Sequence, residues 1–389
     1  MDREASLYIH IPFCVSKCAY CDFFSKPYNS VPDSYVRSLC NEIAFRSDEF
    51  KIKKINTIYI GGGTPSLLTP AQFKTLFFKI RETIQLSPDA EISVEINPDD
   101  VCEALLEALE ECGVTRLSCG IQSLCEKSLK KACRRADARI NKKAMELIGR
   151  LWKGEVSYDL ISGLPFETEV SLIEGLEEVC SHKPDHISLY SLTLEENTPF
   201  GKQLEKGELK YDFDFADKLW LCGRDFLEAQ GYKWYEVSNF CLDKKECRHN
   251  LVYWNHKNYL GCGSGACGTV YEKDGTGFRW TNSTDIDEYC KCWLSAREAE
   301  SNSAVPPQTS EIIDLQTSQF EFFMMGLRKL SGVSEEEYKA YFGTTFPGHF
   351  IYLFDKWQER GLCVKNENGR YAMSREGMLY LNRFLEELF

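Results

Sequence analysis

Long apolar runs are missing from this 389-residue chain. None approaches the roughly 20 residues that a membrane span needs, so a helical membrane protein is not expected. A basic excess is missing too: 46 Lys and Arg stand against 59 Asp and Glu, for a net charge of −13. Binding to nucleic acid by counterion release, which needs a basic face, is therefore not expected. A local basic pocket for carboxylates stays open. The opening residues Met1 to Ser6 lack the apolar core and cleavage site of a signal peptide. The expected location is cytoplasmic. There is no low-complexity tract. Cysteine, by contrast, is plentiful at eighteen residues, in a chain too large and too regular for a secreted disulfide scaffold. Cys40, Cys102, Cys112, Cys119, Cys180 and Cys222 stand singly among apolar neighbours and are expected to be buried thiols in a reducing compartment.

The first half alternates β-rich runs with helical periodicity. The β-like runs are Leu7–Pro12, Thr57–Ile60, Glu91–Ile96, Thr115–Ile121, Glu155–Ile161 and His186–Leu192, several of them apolar on both faces as buried parallel strands require. Helical patterns fall between them at Asp33–Glu49, Pro70–Ile84, Asp99–Cys112, Glu126–Ala132, Ala138–Trp152 and Thr168–Cys180. Asp33, Thr69 and Asp99 sit where N-caps belong, and Gly113 just past a helix end. Six β-α units in a row predict an α/β fold with a parallel sheet and outer helices, an incomplete (β/α)6 barrel if it curls. Chemistry in such barrels collects at the C-terminal ends of the strands.

After about residue 200 the pattern changes. Phe213–Gln230 reads as a helix, Tyr232–Val237 as a strand, and Gly261–Gly265 as a glycine-rich stretch. Ser301–Ser310 reads as a polar linker with Pro306 and Pro307. From Glu311 the order is helix, helix, helix, hairpin, helix, with a turn at Asn366–Gly369. That order predicts a winged-helix-like C-terminal α+β extension. With nine Lys and Arg against twelve Asp and Glu over residues 311–389, it is not expected to read DNA. The expected parts are residues 1–200, 201–300 and 311–389.

The strand-like run Tyr8-Ile9-His10-Ile11-Pro12 leads into a loop with Cys14, Cys18 and Cys21, spaced Cx3Cx2C. Thiolates are the ligands that iron–sulfur clusters take. A closed zinc site would want a fourth ligand close by, and none is there. A [4Fe–4S] cluster on three cysteines keeps one iron open. An open iron can chelate the amino and carboxylate groups of S-adenosylmethionine, and electron transfer can then cleave the sulfonium. The spacing resembles the radical-SAM motif.

Other residues fall where such a ligand would sit. Gly61-Gly62-Gly63-Thr64-Pro65 follows the second strand, and glycines let backbone approach a ligand closely, although a tight turn explains the run equally well. Glu95 ends the third strand, where an acid needs a partner such as ribose hydroxyls or an ammonium group. Gln122 ends the fourth strand, and Asp159 lies amid apolar neighbours near the end of the fifth. Arg134, in the basic run Lys130–Arg135, could pair with a carboxylate, unless that run is a solvated helix face.

These runs, together with Tyr235-Glu236-Val237-Ser238 and Cys247-Arg248-His249-Asn250-Leu251-Val252-Tyr253-Trp254, resemble the coproporphyrinogen-oxidase-like branch of the radical-SAM family, and within it the HemW-type heme chaperones. The resemblance covers nearly the whole chain. It implies an incomplete (β/α)6 barrel and places Tyr8, Gly62, Gly63, Thr64, Glu95, Gln122, Arg134 and Asp159 around S-adenosylmethionine. Tyr20 and Thr193 fall at positions that hold a second such molecule in the related oxidase. Two departures separate the chain from that oxidase: Phe23 stands where the oxidase carries a further cysteine, and only seven residues precede Tyr8.

The segment from Cys247 to Trp254 is similar to the family's HNxxYW heme-binding motif. His249 supplies an imidazole, Tyr253 and Trp254 flat aromatic surface, Arg248 a partner for a propionate, and Cys247 an alternative soft ligand, with Asn250 beside them. Read from residue types alone, His249 and Asn250 are a polar turn and the aromatics core. Cys290 and Cys292 read as packing residues, and a role for Cys262 or Cys267 is open.

The resemblance implies a protein that binds heme, carries the cluster with S-adenosylmethionine, draws on an electron donor and passes heme to an acceptor whose identity the sequence does not give. The alternative is an enzyme that decarboxylates coproporphyrinogen III oxidatively. A homodimer is left open.

Overall fold

The computed structural model describes residues 3–295 and 308–388. Residues 301–307 of the expected linker lie outside them; its last three residues begin a strand, Gln308–Ile313.

One sheet organises the chain. Its strands, in chain order, are β1 (Arg3–Ile11), β2 (Ile52–Gly62), β3 (Gln85–Ile96), β4 (Arg116–Gln122), β5 (Glu155–Ser162), β6 (His186–Ser191), β7 (Lys233–Glu236), β8 (Asn239–Cys241), β9 (Tyr259–Cys262), β10 (Cys267–Tyr271), β11 (Gly277–Asn282) and β12 (Gln308–Ile313). Their spatial order is β12-β11-β10-β9-β1-β2-β3-β4-β5-β6-β8-β7. β1 to β6 are parallel neighbours, the expected six-unit incomplete barrel. The sequence patterns missed β9, which adds a parallel strand beside β1, and the antiparallel strands that follow it. The two sheet ends cross residue 200 and reach residue 313, so the sheet continues without a break through all three expected parts.

Helices α1 (Asp33–Glu49), α2 (Pro70–Thr83), α3 (Glu103–Glu111), α4 (Glu126–Lys131), α5 (Ala138–Leu151) and α6 (Glu169–Ser181) alternate with the strands as periodicity predicts. Thr69 caps α2 and Thr168 caps α6, each in a reciprocal box with the third helical residue. Gly113 turns the chain after α3 at φ +76°. Two caps differ from expectation. Pro32 precedes α1, which puts Asp33 inside its first turn. Asp99 lies in a 3-10 turn, Pro98–Asp100, where Arg135 holds it, so α3 starts only after Cys102. Cys102 is exposed, not buried as expected, because it sits at that cap outside the apolar stripe.

The strands also differ from the expectation of two apolar faces. One face is apolar and fully buried: Leu7, Ile9, Ile11, Ile58, Ile60, Val94 and Leu117. Each such side chain contributes about 1.5–3 kcal/mol. The other face is polar, with Ser6, Tyr8, His10, Thr57, Tyr59, Glu95, Ser118, Ser157, Asp159, His186 and Ser188. These groups satisfy one another across strands, as Thr57 to Ser6 at 2.8 Å and Ser118 to Asp159 at 2.6 Å show. That pairing is what allows a barrel interior to be polar.

After the barrel come α7 (Pro199–Glu205), α8 (Phe213–Ala229), α9 (Arg248–Trp254) and α10 (Ile286–Ser295). The C-terminal part is α11 (Leu315–Gly326), α12 (Glu335–Phe342), α13 (Gly348–Glu359), a hairpin (Cys363–Lys365 with Tyr371–Met373) and α14 (Leu381–Leu388), the expected winged-helix-like order. Its core is aromatic, built on Phe323, Phe350 and Trp357. α11 packs on α9, and Tyr341 donates to Asn255 O at 3.2 Å. No helix among the described residues is long and apolar enough to cross a membrane.

Candidate functional site

The cysteine loop is held by backbone from several elements. Gly63 N–H donates to Ile11 O at 2.9 Å, Lys26 N–H to Pro12 O at 2.7 Å and Tyr28 N–H to Cys14 O at 2.9 Å. Farther along, Ala19 N–H donates to Ala132 O and Phe200 N–H to Ala19 O. His10 spans the base: one ring nitrogen meets the Tyr8 hydroxyl at 2.8 Å and the other Phe24 O at 2.9 Å. Cys14, Cys18 and Cys21 then line one cavity of about 500 Å³ at the C-terminal ends of the strands. The Thr64 hydroxyl donates to Cys14 Sγ at 3.4 Å and Arg134 Nη1 to Cys18 Sγ at 3.5 Å. Burial pushes the Cys21 thiol up to about 11, with Cys18 and Cys14 adding to it. Among the described residues no three His, Cys, Asp or Glu side chains close on a single ion.

The glycine run abuts this loop. A Cβ on Gly63 would come 2.7 Å from Phe13 O and 2.9 Å from Ile11 O, and one on Gly62, at φ +112°, 2.5 Å from the His10 ring. Only glycine lets the two strands approach this closely. Glu95 faces the run: its carboxylate accepts the Tyr59 hydroxyl at 2.9 Å and Gly62 N–H at 3.1 Å. Burial raises its pKa to about 7, with Asp159 adding to the rise. Asp159 accepts Ser118 at 2.6 Å, Ser157 at 3.0 Å and Ser188 at 2.7 Å, while burial still holds its pKa above the usual carboxylate range. Arg134 donates to Gly120 O at 2.7 Å and leaves its buried Nε without a partner. Gln122 sits at φ +66° where the β4–β5 register shifts, which turns its side chain into the cavity.

The cavity thus gathers Tyr20, Gly62, Gly63, Thr64, Glu95, Gln122, Arg134, Asp159 and Thr193 with the three cysteines. Tyr20 packs beside Ala19 and Phe200, and Thr193 is exposed at the rim. Tyr8 is not in the lining; its ring lies 6.4 Å from that of Tyr59, one step behind the wall. Three thiols on one wall, a carboxylate opposite and a buried guanidinium with a free N–H fit a thiolate-held cluster and a zwitterionic ligand.

The HNxxYW residues are not in this cavity. Cys247 precedes α9, its Sγ 3.6 Å from Glu91 Oε1. His249 is buried, with Thr57 Oγ1 2.7 Å from Nδ1 and Tyr253 Oη 2.9 Å from Nε2. Burial pushes its pKa down to about 3. Both ring nitrogens are engaged, so as folded His249 offers no lone pair to a metal. Asn250, Tyr253 and Trp254 are half-buried, and Arg248 pairs with Asp89 at 3.3 Å.

Sequence reading missed Tyr59, Asn97 and the serines around Asp159. Asn97 bridges Thr64 at 3.3 Å and Arg134 at 3.4 Å. Ser118, Ser157 and Ser188 become a set only through strand pairing, which opposes Ser118 to Ser157 and Asp159 to Ser188. Glu91 was also missed; its only sequence signal is an acid at an inward position two pairs before Glu95.

Residues 8–179 match the Radical SAM superfamily and residues 313–380 the HemN C-terminal domain. The chain is 33% identical to heme chaperone HemW of Escherichia coli K12, over 98% of this chain and 97% of that protein. It is 32% identical to heme chaperone HemW of Bacillus subtilis 168, over 98% of this chain and 100% of that one. The solved structure of coproporphyrinogen III oxidase (HemN) from Escherichia coli aligns with a TM-score of 0.81 and 21% identity, over 100% of this chain and 90% of that one, a likeness of fold. With the cysteine cavity, the six-unit barrel and the HNxxYW segment on one chain that matches these relatives end to end, this protein belongs to the HemW family of radical SAM proteins.

Proposed function

We propose that the protein is a heme chaperone: it holds a [4Fe–4S] cluster on Cys14, Cys18 and Cys21, binds S-adenosylmethionine in the adjoining cavity, binds heme through the HNxxYW segment and passes it to an acceptor protein. What supports this most is the convergence of three thiols and nine other expected residues on one cavity, in a chain with full-length relatives named heme chaperone.

In this reading the glycine backbone and Glu95 receive the amino group and ribose hydroxyls, and the free Arg134 N–H receives a carboxylate. Thr64 and Arg134 orient the sulfurs they already donate to. Tyr59 holds Glu95 in place. Bound there, the cluster supplies an electron for reductive cleavage of the sulfonium. Tyr8 supports the wall from behind, and Tyr20 and Thr193 border room for a second ligand.

Heme, as cargo, would meet Asn250, Tyr253 and Trp254, with Arg248 available to a propionate. For His249 to reach iron it must give up Thr57 or Tyr253; Cys247 would have to leave Glu91. An electron donor for the cluster and a cytoplasmic setting complete the reading.

Phe23 lies exposed on the cavity wall where the oxidase-type motif carries a cysteine, which favours the chaperone over porphyrinogen decarboxylation. The test is to incubate reduced, cluster-loaded protein with S-adenosylmethionine and coproporphyrinogen III, and in parallel to titrate heme and offer heme-loaded protein an apo-hemoprotein. Heme binding and transfer without protoporphyrinogen IX are expected. Accumulation of protoporphyrinogen IX would overturn the chaperone reading.

A further inference from the structure

The cavity and the HNxxYW helix occupy different places in the barrel, yet a line of hydrogen bonds joins them. A backbone N–H can only donate. Cys247 N–H, at the start of α9, donates to the Tyr235 hydroxyl at 3.1 Å. Tyr235 then donates onward to His186 Nε2 at 2.9 Å. With Nε2 accepting, the proton of the neutral imidazole sits on Nδ1 and is donated to Ser157 Oγ at 2.8 Å. Ser157 in turn donates to Asp159 Oδ1 at 3.0 Å, and Asp159 lines the cavity. His186 is 1% exposed, and burial with Arg116 nearby keeps it neutral.

The polarity of this line has one fixed donor at the helix end and a carboxylate acceptor at the cavity end. With Asp159 accepting, Ser157 spends its one proton there, His186 donates Nδ1–H to Ser157, and its Nε2 is left to accept the Tyr235 hydroxyl, on which the Cys247 N–H also rests. If α9 withdraws the Cys247 N–H, the line loses its fixed donor; if Asp159 takes on other donors, the serine hydroxyls can turn away. A second thread runs beside it. Glu95 accepts the Tyr59 hydroxyl at 2.9 Å, and the Tyr59 ring lies on His249 with centroids 5.2 Å apart. Glu95 and Asp159 are therefore both tied to the motif, each through groups outside it.

We propose that Tyr235, His186 and Ser157 are positioning residues that make occupancy of the cavity and the order of the HNxxYW helix mutually dependent, so that the ligand in the cavity sets how firmly the helix is held. This rests on the reading of the cavity as an S-adenosylmethionine site. By reciprocity, whatever engages the helix changes affinity in the cavity by the same factor.

The test follows amide hydrogen exchange over Arg248–Trp254 in full-length, cluster-loaded protein with the cluster oxidised, with and without saturating S-adenosylmethionine, while equilibrium dialysis measures ligand retention. In wild type the ligand is expected to change exchange of the helix at least about fivefold, the lower end of common coupling factors. Tyr235→Phe, which keeps the ring and removes the bridging hydroxyl, is expected to retain the ligand but lose the response. Ser157→Ala, at the other end of the line, is expected to lose it as well. Ligand retained by wild type with no change over the helix would overturn the inference while leaving the cavity reading intact, and so would variants that respond as wild type does. No retention by wild type would overturn the cavity reading and this inference with it.

Discussion

Glu91 accepts the backbone N–H of His249 at 2.9 Å, and with its other oxygen the N–H of Arg248 at 2.9 Å. A carboxylate on β3 thus closes the first turn of a seven-residue helix distant in sequence. Such a short helix is marginal alone, so its place depends on this strand. Glu91→Ala removes two charge-assisted bonds, each worth about 1.5–3 kcal/mol. Hydrogen exchange over Arg248–Trp254 is expected to rise well before the global melting temperature falls, and Glu91→Gln is expected to be milder.

Gly63→Ala should act on the cysteine loop without touching a cysteine. The added methyl meets backbone atoms of Phe13 and Ile11, which cannot rotate away. The expected cost is about 1–3 kcal/mol, seen as a lower melting temperature. Iron and sulfide per chain after anaerobic reconstitution are expected to fall with it.

Arg134→Ala is expected to separate the cluster from its ligand. The guanidinium lies beside Cys18 but does not replace a thiol. Iron content should stay near wild type while S-adenosylmethionine affinity falls roughly 10- to 100-fold, the worth of one charge-assisted bond. Arg134→Lys is expected to recover little, because one ammonium cannot serve Gly120 O, Cys18 and a ligand in the geometry of a planar fork.

Glu95 makes the stability of the ligand-free protein depend on pH. Its folded pKa of about 7 exceeds the 4.5 of an unperturbed glutamate, so between those values the folded chain binds more protons than the unfolded one. The stabilisation is complete below 4.5 and is lost as pH rises through 7. Glu95→Gln removes this component, up to roughly 3 kcal/mol. The melting temperature of Glu95→Gln is therefore expected to fall less than that of wild type between pH 5 and pH 8.

His249 gives a test inside the motif. As both ring nitrogens are engaged, His249→Ala leaves Thr57 and Tyr253 without their partner and removes the ring on which Tyr59 rests. A stability loss of about 1–3 kcal/mol is expected. A heme spectrum recorded beside the melt separates ligation from packing: a changed axial-ligand signature marks release of His249 to iron, and an unchanged one marks a structural histidine.

The six parallel strands, the helices between them and the C-terminal helix and hairpin order were legible because each follows from a local period and local caps. The cysteines were legible because one short loop carries all three. β9 was not, since Tyr259–Cys262 is short, glycine-containing and becomes a strand only by pairing with β1. Asp159 stood out as an acid among apolar neighbours, but its three serines come from three strands and meet only through register.

By itself, then, the sequence determined the cysteine loop and the barrel's repeating unit, which rest on residues near one another in the chain, and the acids Glu95 and Asp159 near the strand ends. Tertiary structure alone decided that the barrel interior is polar, that Glu91 anchors the motif helix and that His249 is wedged between Thr57 and Tyr253. Glu91 and Thr57 lie far from His249 in sequence, although Tyr253 is only one helical turn away, and a buried polar group shows what it does only when its partner is in place.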